Sequence, residues 1–186
     1  MCLFCNLPQT AYCERGDSMT IFAEPVNSIT NLAFLIFAYL SYKKIFRKKI
    51  KSKSIKILPW MLVLIGLGSF SYHTLRSPLT LLFDAVPIYI FILYTLYLTL
   101  SQLFNDRIKS LLILTGFVTL EVLLSIYLPN EFLNGSIRHV ATIAFILLIG
   151  TLLTKKYKNA VVKPLIGIIA GYSFAVFFRT IDPVVC

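Results

Sequence analysis

"GSFSYHTLRSPLTLLFDAVP", residues 68–87, sets a serine, a histidine and an aspartate at the join of two long apolar runs. The run before the join covers Ile57–Leu75, and the run after it covers Leu79–Leu103. Each is long enough to cross a bilayer as a helix, which takes about 20 predominantly apolar residues. Between them "RSP", Arg76 to Pro78, leaves room only for a tight turn, so the two helices run antiparallel. Pro78 suits the start of the second helix, because the first helical N–H has no partner in any case. The stretch predicts a helical hairpin in a membrane, with Ser69, His73 and Asp84 gathered near one end.

The same pattern recurs along the chain. Six spans are expected: Val26–Phe46, Ile57–Leu75, Leu79–Leu103, Ile108–Leu128, Ile137–Leu153 and Val161–Phe178. Composition agrees, since 58% of the 186 residues are hydrophobic, only 14% are charged and the mean hydropathy is +0.80. Soluble domains are about half apolar, and this chain has too little polar surface to hide the excess. The first apolar run ends in "SYKK" with no small-residue cleavage site, so it reads as a span and not as a signal peptide. The fold class expected is all-α, a polytopic transmembrane helix bundle forming one domain over residues 1–186. Residues 1–25 form its N-terminal segment.

A net charge of +10 invites a nucleic-acid reading, but the distribution of charge argues against one. Lys43, Lys44, Arg47, Lys48, Lys49, Lys51, Lys53 and Lys56 crowd the first loop. Arg107 and Lys109 mark the third loop, and Lys155, Lys156, Lys158 and Lys163 the fifth. Arg15, Arg76, Arg138 and Arg179 are the remaining basic residues. Basic loops on alternate connections follow the positive-inside rule, which puts both termini on the non-cytoplasmic side. The first loop is also expected to attract anionic lipid, at about 1 kcal/mol per basic residue near the surface.

This topology collects the unusual residues in one outer layer. Glu14, Asp17, Glu24, Asp84, Glu131 and Asp182 all fall there, beside Ser69 and His73. Ser69 and His73 are one helical turn apart on one face. One reading makes them a cap at the membrane interface, with Asp84 paired to Arg76. The other makes them part of a metal-hydrolase site, in which the imidazole binds metal and its second nitrogen is oriented by a partner. Glu14, Asp17 and Glu24 are open in the same way: they read as a solvated acidic linker, or as oxygen ligands for a hard cation such as calcium. Asn27 and Asn31 share a face of the first span and are candidates for hydrogen bonds between helices.

In this order, "YCERGDSMTIFAEPVNSITNLAF", "GLGSFSYHTL", "LLFDAVPIYIF" and "FFRTIDPVVC" resemble the ceramidase family of membrane hydrolases over nearly the whole chain. Ser69, His73 and Asp84, spaced S-x3-H then aspartate, carry the most specific part of the resemblance. It implies seven helices and a zinc ion held by His73 and by two histidines of an H-x3-H motif on helix seven. Ser69 and Asp84 stand beside the metal-bound water as catalytic residues. It also implies a calcium site to which Glu14 and Glu24 would contribute, with Asp17 as a possible substitute ligand. A disulfide between Cys13 and Cys186 is implied as well.

Departures from the family pattern are specific. His73 and His139 are the only histidines, and His139 has Gly135 and Ile143 where an H-x3-H partner would stand. His139 reads as an interfacial residue of the fifth span. Ala11 and Gly16 occupy positions where calcium ligands are expected. The chain thus reads as a truncated ceramidase-like bundle lacking its seventh helix, with a separately encoded seventh helix among its candidate partners. The implied reaction is hydrolysis of the N-acyl amide of a ceramide-like membrane lipid, impaired while the H-x3-H helix is missing. A catalytically silent family member that binds lipid in a receptor-like way is the alternative.

Overall fold

Helices form where the apolar runs lie. The computed structural model describes residues 14, 20–127, 139–158 and 161–185, with the backbone alone described for His139, Arg179 and residues 182–185. In chain order the helices are α1 (Pro25–Thr30), α2 (Leu32–Arg47), α3 (Lys53–Lys56), α4 (Leu58–Leu75), α5 (Pro78–Phe104), α6 (Arg107–Tyr127), α7 (His139–Tyr157) and α8 (Val162–Val185). No strand occurs among the described residues. Lys53–Leu75, Pro78–Phe104, Arg107–Tyr127 and Val140–Tyr157 are each long and apolar enough to cross a membrane, and Val162–Phe178 is a shorter apolar helix. The protein is an all-helical, multi-pass membrane protein.

Of the six expected spans, four are matched by helices long and apolar enough to cross and one by the shorter Val162–Phe178, whereas the first, Val26–Phe46, is not among them. The first is divided at Asn31 into α1 and α2, and α3 is a short turn leading into α4. The last two helices outrun their apolar cores: α7 continues to Tyr157 through two lysines, and α8 continues to Val185. Apolarity sets where lipid ends, whereas the helix ends where backbone hydrogen bonding does, and lysine stems can lie along the boundary with their charges in water.

Burial runs opposite to that of a soluble domain. Large apolar side chains such as Phe37, Leu64, Leu112 and Phe178 are exposed, while Glu24, Ser28, Asn31, Ser69, His73, Thr74, Thr80 and Ser110 are buried. Lipid is as apolar as leucine, so burial of leucine offers no drive and helices associate through close packing and polar contacts.

The chain divides into two compact units, Met1–Tyr94 and Thr95–Cys186. In the first, α4 packs against α1, α2 and α3. Its buried positions include Ile65, Gly66, Ser69, Tyr72 and His73, which follow helical spacing along one face. The second unit contains the end of α5 with α6, α7 and α8. There Asp106 Oδ1 accepts from the amides of Ile108 and Lys109, capping α6. Lys156 Nζ donates to the carbonyls of Gln102 and Leu103, satisfying the end of α5. Thr142 donates to Glu121 Oε1 at 2.7 Å, joining α7 to α6.

Candidate functional site

The α4–α5 turn is specified residue by residue. Arg76 closes α4 in the left-handed conformation with φ 48°, its amide donating to Tyr72 O. Ser77 and Thr80 then form a reciprocal cap: Thr80 N donates to Ser77 Oγ, and Ser77 N donates to Thr80 Oγ1. Two orphan amides at the start of α5 are satisfied at once, which is the logic of a capping box. Pro78 occupies the first helical position as expected.

Closeness of the two helices has an equally local cause. Pro87 has no N–H to give the carbonyl four residues earlier, that of Phe83. Against that carbonyl lies Gly68, where a Cβ would sit 2.0 Å from Phe83 O and 2.7 Å from its carbon. Only glycine fits, and the backbones of α4 and α5 meet there. Ser69 and Asp84 follow Gly68 and Phe83 in sequence and are carried into one another's reach. Ser69 and His73 are the polar neighbours of Asp84. Its Oδ1 atom is buried and has no hydrogen-bond partner.

His73 is held from the other side. Glu24, fully buried, accepts from His73 Nδ1 at 2.5 Å through Oε2 and from Arg76 Nη1 at 2.5 Å through Oε1. A carboxylate can only accept, so Nδ1 carries the proton. That is how ligand imidazoles are commonly oriented. Tyr72 frames the pair, edge-on to His73 at 5.4 Å between centroids and under the Arg76 guanidinium at 5.0 Å.

The sequence brings Ser69, His73 and Asp84 together, and the structure places all three in one layer of the first unit. Sequence reading missed that Glu24 is the partner of His73. Its position just before Pro25 starts α1, and α1 packs on α4, but 49 residues separate the two side chains and no local spacing announces the contact. In the reading that made His73 an interfacial cap, Arg76 was to meet Asp84; its guanidinium reaches Glu24. The Glu14 carboxylate accepts from the amides of Val26 and Asn27 and caps α1. Asn31 Nδ2 donates to Asn27 O within its own segment, not to another helix, because the amide can reach a carbonyl one turn back. Asp17, Cys13, Cys186, Glu131 and the side chain of His139 lie outside what the structure describes.

Beside this layer, Leu64, Leu67, Gly68, Ser71, Phe83 and Pro87 line an open apolar groove of about 190 Å3. Compared with known proteins, residues 8–186 match the family model described as Ceramidase. No curated protein and no solved structure matches the chain.

Proposed function

The chain belongs to the ceramidase family, and on that premise we propose that Ser69, His73 and Asp84 are its share of an amide-hydrolysing site for ceramide-type lipids. The family is zinc-dependent in general and acts on such lipids. Among the described residues no three His, Cys, Asp or Glu side chains cluster as a full metal site would need, and those present suit one side of a metal-bound water: an imidazole held by its Nδ1, near a carboxyl whose buried Oδ1 lacks a partner. That orphaned oxygen is the observation that carries the reading, because a buried acceptor without a partner costs about 1–3 kcal/mol. Zinc, when bound through His73 Nε2, supplies a water of lowered pKa and polarises the amide carbonyl.

The chain's own side chains do the rest. Asp84 accepts the proton of the attacking water and passes it to the nitrogen as the carbon–nitrogen bond breaks, releasing a fatty acid and a long-chain base. Ser69 donates to the carbonyl oxygen as it gains negative charge. The apolar groove at Leu64, Leu67 and Phe83 receives hydrocarbon beside the reacting bond. Residues 1–186 hold one of the three imidazoles of the family pattern, so the assay supplies an H-x3-H helix alongside them. Hydrolysis of a ceramide by the chain co-expressed with such a helix, in vesicles, tests this. Ser69→Ala is expected to lose about 10²–10³ in rate and Asp84→Asn about 10²–10⁴. Full activity in either variant would remove that residue from the mechanism.

Both termini belong on the non-cytoplasmic side in this reading, with the Lys43–Lys56 loop on the cytoplasmic side against anionic headgroups. Cys13 and Cys186 would then share a compartment that permits a disulfide. Accessibility labelling from each side, and mass mapping without reductant, check the two assignments.

A further inference from the structure

The family pattern places a calcium ion near Glu24, and the two carboxylates of that pattern that the structure describes, Glu14 and Glu24, are committed elsewhere in this chain. Glu14 caps α1 with both oxygens, and Glu24 divides its two oxygens between His73 and Arg76. Two further ligand positions are Ala11 and Gly16, which bring no side-chain oxygen. These residues do not fit a calcium ion, which asks for six to eight oxygens. They do fit an organic cation.

We propose that Arg76 is the resident cation of the outer site, neutralising Glu24 and fixing the carboxylate that orients His73, so that this chain needs no calcium there. The geometry follows the chemistry. Glu24 is fully buried, and a buried carboxylate requires a compensating charge and hydrogen bonds. Arg76 supplies both from the left-handed C-cap of α4, where φ is 48° and its side chain lies over the Tyr72 ring. With Oε1 anchored by the guanidinium, Oε2 is aimed at Nδ1 of His73. Arg76 is thus a positioning residue. It acts through Glu24. The inference rests on the assignment of His73 as the ligand imidazole, but its test does not require hydrolysis.

A chain with only two histidines permits a direct test. Histidine-selective nitrogen NMR of the full chain in detergent, with His139→Gln to assign the signals, reports which nitrogen of His73 carries the proton. The Nδ1–H form is expected, unchanged whether calcium or a calcium chelator is added. Arg76→Lys should keep that form, and Arg76→Gln should lose it. Calcium-dependent shifts of the His73 signals, or of the wild-type melting temperature, would overturn the proposal. So would retention of the Nδ1–H form in folded Arg76→Gln protein. Should Arg76→Gln fail to fold, the calcium titration of the unmodified chain still decides. Loss of hydrolysis with these signatures intact would count against the proposed reaction and leave the role of Arg76 standing.

Discussion

The two units use polarity differently. Around α4 the first unit buries Glu24, Ser28, Asn31, Ser69, His73 and Thr74, and Thr80 beside them at the start of α5. Among the described residues of the second unit, Ser110 is the one polar residue buried as a whole, its hydroxyl donating back to Asp106 O, and Ser101 adds a buried hydroxyl. Both units sit in the same apolar chain, so composition cannot account for the contrast. Polar groups inside a membrane bundle are expensive and are kept where chemistry or specificity needs them. On the proposed reading the chemistry belongs to the first unit, while the second holds together through contacts such as Phe117 stacked on Phe145 at 4.4 Å and the Glu121–Thr142 contact between its helices.

The sharpest way to break this contrast is to remove Glu24. Glu24→Ala leaves Arg76 and His73 without their shared acceptor, and uncompensated buried charge costs about 3–5 kcal/mol. Thermal or denaturant unfolding in detergent should register that loss. A change near zero would mean that the buried pair carries no structural weight.

Gly68→Ala comes next. The added Cβ meets backbone and not a movable side-chain tip, so α5 must shift, and overpacking of this kind costs about 1–3 kcal/mol or more. Because Asp84 follows Phe83, the substitution should lower hydrolysis even in protein that remains folded. Wild-type stability and rate in Gly68→Ala would show that the helices do not meet as closely as the Phe83 carbonyl indicates.

The smallest effect is expected in the second unit. Thr142→Val removes a hydroxyl–carboxyl contact between α6 and α7, and bonds of this type in membrane bundles average about 0.6 kcal/mol. Unfolding should shift slightly, with hydrolysis unaffected. A loss of activity as large as that of Asp84→Asn would move part of the chemistry into the second unit.

How much was legible in the sequence follows from the range of each interaction. The hairpin at residues 68–87 could be read because its causes are local: apolar runs, a three-residue turn and Pro78 at a helix start. Ser69 and His73 share a face by helical spacing alone, and Asp84 returns to their depth through the short turn. Glu24 as the partner of His73 was not legible, because it depends on α1 packing on α4 across 49 residues of chain. The family pattern offers its carboxylate as a calcium ligand, and nothing local distinguishes a carboxylate aimed at a metal ion from one aimed at a guanidinium. The division of the first span at Asn31 was hidden for a different reason. Apolarity continues through the break, and only backbone geometry records it.

Zinc retention tests the central claim most directly, since a metal bound through one of two histidines must follow that histidine. The measurement is zinc content after chelator washing of the chain co-expressed with an H-x3-H helix, compared with its His73→Ala and His139→Ala variants. Zinc retained by the unmodified chain and by His139→Ala, and lost from His73→Ala, is the predicted result. Zinc that stays with His73→Ala would contradict the assignment of this site.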